Sequence, residues 1–518
     1  MGLACCNARV LTLVPLLLAV TSASVGGARI DPRLFVDKAP GEKASFLVVL
    51  REPADLSAAA TISGRAERRR AVYDALKSRA DAAQAPLRRR LEEAGVRFRP
   101  HWLVNLVEVE GDAGLAAELA ARADVAAIAG QRGARPSSPP APPPRLTPRV
   151  SADGDPAEPN IEKIRAPELW SMGFYGQGVV VGVADTGFQW DHPALVGAYR
   201  GAAGNHAYAW HDAVHDAGVG NPCGSDSPVP CDDEGHGTGT AGLAVGNGGP
   251  GNHIGAAPGA TLIGCRNMDL GEGTPERYVE CFEWLVAPTD ASDENPRPDL
   301  GADVINNSWT CPPSEGCTDP EVLRAAVEAV RAAGVAVVFA AGNDGTIAGG
   351  DPVCFTVNEA PAIYASALTV GATWLDDTMA SFSSVGPVAA DGSNRIKPDL
   401  TAPGVSLRTA ALGSRYSAAF SGTSGAAPQV AGAVALLWSA MPELAGDVDR
   451  TEHALELGAV PLRMSLVCGG FSGDDVPNPF YGWGRLDVLG AYQVGPPVRD
   501  LPSPPPDHPA PRAVAPRP

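Results

Sequence analysis

Between residues 178 and 370, short runs of Val- and Ile-rich sequence alternate with stretches of helical period. The apolar runs are 178–184 (GVVVGVA), 261–265, 303–307, 335–340 and 368–370; the helical stretches are 276–287 and 320–333. A strand that is apolar at nearly every position has no face left for water. Strands of this kind, separated by helices, specify a mainly parallel sheet covered on both sides, an α/β arrangement of three layers. Ligands of such sheets gather beyond the carboxyl ends of the strands. Chemistry is therefore expected where these runs end.

The rest of the 518-residue chain divides by composition. With 45% hydrophobic residues it can build a sizeable core despite 59 Gly and 49 Pro, which excludes wholesale disorder. A formal charge of −19 argues against binding nucleic acid by neutralising phosphates. The charge is uneven: residues 29–150 carry 21 basic and 15 acidic side chains, and residues 151–518 carry 18 and 44. A net +6 segment joined to a net −26 segment implies two pieces that attract each other.

Residues 1–28 read as an export signal, with Arg9, an 11-residue apolar run (VLTLVPLLLAV) and a cut after Ala23 or Ala28. Pro15 argues against a buried helix there, and the run falls short of the roughly 20 residues that cross a bilayer. The expectation is a secreted protein with no membrane span. Residues 29–130 form a small α+β unit, with strands at 45–50 and 103–109 and helices at 65–93 and 115–123. A Pro-rich linker follows at 131–158, extended and open to proteases. The large α/β unit covers 159–495, and 496–518, with 10 Pro in 23 residues, is read as a disordered tail.

Cys5 and Cys6 would leave with the signal, and eight cysteines remain. An even number in an exported chain favours disulfides, although eight allow roughly 100 pairings. Cys223/Cys231 and Cys311/Cys317 are close pairs in Gly/Pro-rich loops; Cys265/Cys281 and Cys354/Cys468 follow by elimination only. Zinc is disfavoured because there is neither a CxxC pair nor two His at ligand spacing.

Four residues stand at strand or helix ends. Asp185 closes the first apolar run (VVVGVADTG), His236 stands between glycines in DDEGHGTGTAG, Asn343 follows a buried strand in VAVVFAAGND, and Ser424 opens an apolar helix in FSGTSGAAPQVAG, with Pro428 in its first turn. Each has an ordinary explanation: a turn or cap for Asp185, a solvated or capping His236, an αL-tolerant loop residue for Asn343, an N-cap for Ser424. As a set they have another. A serine hydroxyl needs a base, and the base needs a carboxylate to fix its tautomer. The Asn343 amide, with the Ser424 N–H, would stabilise an oxyanion. The run 237–242 (GTGTAG) also matches GxGxxG, but no strand precedes it and Leu262 stands where the acid of a dinucleotide site belongs.

DTG, GHGT, AAGN and GTS-x-A-x-P, in this order across residues 160–493, resemble the subtilisin-like serine peptidases, or subtilases. The resemblance implies the three-layer subtilisin-like fold preceded by an α+β prodomain that inhibits until it is cut away. It implies an exported endopeptidase, a monomer acting on polypeptides, with no cofactor required for chemistry and room for structural calcium whose ligands are unassigned. It places substrate contacts at Leu270, Gly271, Glu272 and Gly273, which would pair with the peptide backbone. Ser308, Trp309, Thr310, Ala341 and Gly342 would wall the pocket for the side chain before the cut. Two positions depart from the family pattern: Gly425 stands where Met is usual, and Gly239 where His is frequent. An inactive binding protein of the same fold is the rival reading; such proteins typically lose a triad residue, and none is lost here.

Overall fold

A computed structural model describes residues 28–131, 157–346 and 351–496. The expected export signal, nearly all of the linker and all but the first residue of the tail lie outside the described residues.

The N-terminal domain is a five-stranded sheet, β1 (Arg29–Ile30), β2 (Ala44–Leu50), β3 (Phe98–His101), β4 (Leu106–Gly111) and β5 (Val125–Gly130), in the order β1-β5-β2-β4-β3. Helices α1 (Arg65–Glu93) and α2 (Ala113–Ala120) belong to it. Three of these strands escape the sequence reading. β1 has two residues, β3 carries a Pro, and β5 (VAAIAG) is too Ala-rich to show β character. α1 buries Val72, Leu76, Ala80, Gln84, Leu87 and Leu91, a stripe at helical spacing. Its lower half, Leu87 and Leu91, packs in the domain's own core, whereas Val72 and Leu76 pack in the core of the large domain.

The large domain is built on β6 (Val180–Asp185), β7 (Trp210–Asp212), β8 (Thr261–Arg266), β9 (Val304–Asn307), β10 (Ala336–Ala340), β11 (Leu368–Thr373) and β12 (Leu400–Pro403). The seven strands lie in the order β12-β11-β10-β9-β6-β8-β7, every neighbouring pair parallel. β9, β10 and β11 are buried at every residue, as the expectation of a doubly covered sheet requires. The edge strands β7 (WHD) and β12 (LTAP) carry no continuous apolar run and were not foreseen. On one face lie α3 (His236–Val245) and α6 (Thr423–Ala440); on the other lie α4 (Pro275–Val286) and α5 (Arg324–Ala332). Disulfides join Cys223–Cys231, Cys265–Cys281, Cys311–Cys317 and Cys354–Cys468.

The N-terminal domain sits on α4 and α5 through cations and main chain. Arg65 and Arg69 both reach Asp303 at 2.9 Å, and Arg69 also donates to the carbonyls of Pro298 and Gly301. Arg68 donates to the Ala332 carbonyl, and Arg99 pairs with Glu280 at 2.6 Å. The Glu283 carboxylate accepts the N–H groups of Trp102 and Leu103.

Candidate active site

The carboxyl ends of β6, β9 and β10 lie side by side, and the residues that follow them meet the first turns of α3 and α6. Asp185 is the last residue of β6 and is fully buried. Its carboxylate accepts from the Thr186 N–H (2.8 Å) and the Thr240 hydroxyl (3.1 Å), and it lies 2.7 Å from His236 Nδ1. Two glycines permit this approach. A Cβ on Gly187, whose φ is +101°, would fall 1.8 Å from the Cys231 carbonyl oxygen. One on Gly237 would fall 1.9 Å from the Gly187 carbonyl oxygen. The DTG and GHG segments thus touch main chain to main chain, which brings the acid within reach of the imidazole.

His236 is the first residue of α3. Burial disfavours its charged form, but the charge and hydrogen bond of Asp185, with the charges of Glu234 and Asp232, outweigh that and raise its pKa to about 9. The loop before it is tied by Asp232, a buried residue that sequence reasoning missed. Its carboxylate accepts from the Thr186 hydroxyl, from the N–H groups of Glu234 and Gly235, and from both donors of Thr238. The only available signal was its place in DDEGHGT.

Ser424 is the second residue of α6; Gly422 caps the helix, so the serine is not the N-cap its type suggests. Pro428 is the sixth helical residue, in the second turn and not the first as the sequence suggested. Having no N–H, it cannot donate to the Ser424 carbonyl four residues back. The Ser308 hydroxyl supplies that donor instead, at 3.0 Å, and the Ser424 hydroxyl returns a bond to the Ser308 carbonyl, also 3.0 Å. In this resting arrangement the Ser424 hydroxyl makes no hydrogen bond to His236. Asn343, just beyond β10, accepts through Oδ1 from the Thr423 N–H (2.9 Å) and hydroxyl (3.1 Å). A main-chain N–H needs an acceptor, which fixes the amide's orientation and turns its NH2 group away from Thr423.

The expected substrate segments lie as follows. Leu270 and Gly271 form the turn between Met268–Asp269 and Glu272–Gly273, which pair antiparallel; Leu270 and Glu272 are exposed. Gly273 lies against the Tyr278 hydroxyl, with no room for a Cβ. Ser308 and Thr310 follow β9. The indole of Trp309 between them is turned into the core, stacked on Tyr278 at 3.7 Å and donating to the Ala184 carbonyl. Ala341 donates to Val370, and Gly342 (φ +99°) accepts from the Ser384 N–H.

A family model described as the subtilase family matches residues 176–484. The chain belongs to the subtilase family. This subtilase is 37% identical over 347 residues to bacillopeptidase F of Bacillus subtilis strain 168, a match covering 66% of this chain and 22% of that protein. It therefore spans about a fifth of the length of that relative. It is 31% identical over 340 residues to subtilisin NAT of Bacillus subtilis subsp. natto, covering 64% of this chain and 70% of the relative. Serine protease AprX of Bacillus subtilis strain 168 is 33% identical over 300 residues, 52% of this chain and 59% of AprX.

Phe420 bears on both departures from the family pattern, with Leu407 the nearer neighbour at Gly425. A Cβ on Gly239 would fall 2.6 Å from the Phe420 ring, and one on Gly425 would fall 2.8 Å from Leu407 and 3.3 Å from Phe420. Phe420 fills the space that a larger residue at either position would use. Its ring also lies 5.4 Å from that of His236.

Among the described residues one cluster of three His, Cys, Asp or Glu side chains brings possible ligand atoms together, and it does not suit calcium. His215, Glu276 and Glu280 have ligand atoms within 4.8 Å of one another. Arg99 already pairs with both carboxylates, and a histidine nitrogen is foreign to the all-oxygen shell of that ion.

Proposed function

We propose that this subtilase is a secreted serine endopeptidase, made with an inhibitory N-terminal domain and acting as a monomer without a cofactor. The observation that carries the reading is the 2.7 Å pair of buried Asp185 with His236, on the same rim as Ser424 and the oriented Asn343 amide. The Ser424 hydroxyl leaves the Ser308 carbonyl by a side-chain rotation and turns to the imidazole. As its Oγ adds to the scissile carbonyl carbon, His236 takes the proton and Asp185 stabilises the imidazolium. The Asn343 amide and the Ser424 N–H donate to the oxyanion. His236 then protonates the leaving nitrogen, the C–N bond breaks, and an acyl ester remains on Ser424. Water, deprotonated by His236, adds to the ester, and Oγ departs with the proton restored.

The segment 270–273 offers a backbone edge to an extended peptide, which gives affinity without regard to sequence. A fluorophosphonate should label the protein at Ser424, and Ser424→Ala should lose both the label and about 10⁶ in turnover, the loss recorded for the nucleophile of subtilisin itself. Peptide hydrolysis undiminished in Ser424→Ala would overturn the reading, and an unlabelled, inert protein would favour a binding role.

A further inference from the structure

Next to Asn343, Thr310, Gly342 and Ser384 form a close-packed frame. A Cβ on Gly342 would lie 2.9 Å from the Ser384 hydroxyl and 4.0 Å from the Thr310 methyl. Glu359 is fixed against this frame: the Thr310 hydroxyl donates to its carboxylate at 2.5 Å. The segment behind it is pinned too, because the Cys311 N–H donates to the carbonyl of Ala360 at 2.7 Å. The resemblance to subtilases puts the side chain before the cut between residues 308–310 and 341–342. Glu359, bonded to Thr310 and near the Asp344 charge, stands beside that path.

The charge at Glu359 is unmet. The carboxylate is half-buried, and among the described residues its one hydrogen-bond donor is neutral and no cation pairs with it. Burial pushes its carboxyl up, the Thr310 hydrogen bond works against that, and the Asp344 charge pushes up further. Glu315 is raised to about 7, chiefly by burial, with Glu359 and Glu272 adding repulsion against the Tyr278 and Gly273 hydrogen bonds. A cation arriving with a ligand would offset the repulsion around Glu359, which an apolar side chain would not.

We infer that Glu359 makes the cleft select peptides carrying Lys or Arg immediately before the bond that is cut. The inference rests on the peptidase reading above and names its substrate class. Basic side chains gain a charge-assisted hydrogen bond that Leu or Phe cannot make, a preference of about 10- to 100-fold in kcat/KM.

The test uses the full chain, incubated until its peptidase activity reaches a plateau, and tetrapeptide anilides differing only in the residue before the anilide. Rates are expressed per site titrated with fluorophosphonate, so unfolded protein does not count. The Arg and Lys substrates should exceed Leu and Phe by at least tenfold. Glu359→Gln should lower the Arg-to-Leu ratio at least tenfold, and Glu359→Asp should retain part of it. A wild type that prefers Leu or Phe, or a ratio unchanged in Glu359→Gln, overturns the inference while the peptidase reading stands. A protein that takes no label and cuts no substrate overturns both.

Discussion

His236 places two opposed demands on pH. Its raised pKa, about 9 against 6.5 for a free imidazole, means that the pairing with Asp185 stabilises the fold fully below about 6.5. That contribution is lost as pH rises through about 9, yet only the neutral imidazole can accept the Ser424 proton. The rate should therefore climb through the range in which this contribution fades. The expected kcat/KM profile rises with a midpoint above pH 8, and Asp185→Asn should lower both the midpoint and the turnover, the latter by about 10⁴. A profile already flat from pH 6 would contradict the assignment. Asn343→Ala should lower kcat by about 10²–10³ with little change in KM, since its amide serves the oxyanion and not the bound peptide. These residues were legible in the sequence because Asp185 and Asn343 stand at the Gly-rich ends of apolar strands, and His236 and Ser424 at the Gly-rich starts of helices. Asp232 and Thr240 were not, nor was the pairing of Ser308, read only as a pocket wall, with Ser424, because hydrogen-bond geometry across the chain leaves no local pattern.

Helix α6 shows how elements accommodate exceptions. Pro428 removes one internal donor, and the loop after β9 returns it through Ser308. That pairing ties the helix bearing the nucleophile to the sheet. Phe420, at the end of the Arg415–Phe420 strand, similarly takes up space left by two glycines on different helices. Gly425→Met should consequently cost about 1–3 kcal/mol as an overpacked site, and Phe420→Ala should recover part of that loss in the double variant. Denaturation of both on a Ser424→Ala background, which prevents self-digestion, measures this; additive losses would refute the shared-space account. Long elements such as α1 and α6 were readable from their composition and period. The short edge strands β7 and β12 were not, since hydrogen bonding to an already formed neighbour, and not their own pattern, makes them strands.

At the scale of the molecule, the charge asymmetry foresaw an attraction between the two domains but not its partners. Arg69 is the centre of it, 2% exposed and bound to Asp303 and two carbonyls. Added separately, the segment 28–131 should inhibit the processed enzyme, and Arg69→Ala should raise its inhibition constant by about 10²-fold by leaving Asp303 and those carbonyls unmet. Higher salt should weaken inhibition further through exposed pairs such as Arg29–Asp319, since screening acts over about 10 Å at 0.1 M. An inhibition constant indifferent to Arg69 would show that the docked arrangement is not the inhibiting one.

The Cys354–Cys468 bridge bears on all three scales. Cys354 lies a few residues before Glu359, and its partner belongs to the Val467–Ser472 hairpin near the other end of the domain. The wall that faces an incoming side chain is thus moored to a segment that the sheet itself does not hold. Under reducing conditions discrimination among peptides should slacken first, with cleavage persisting but growing indiscriminate, because the mooring can give way while β6, β9 and β10 keep their register.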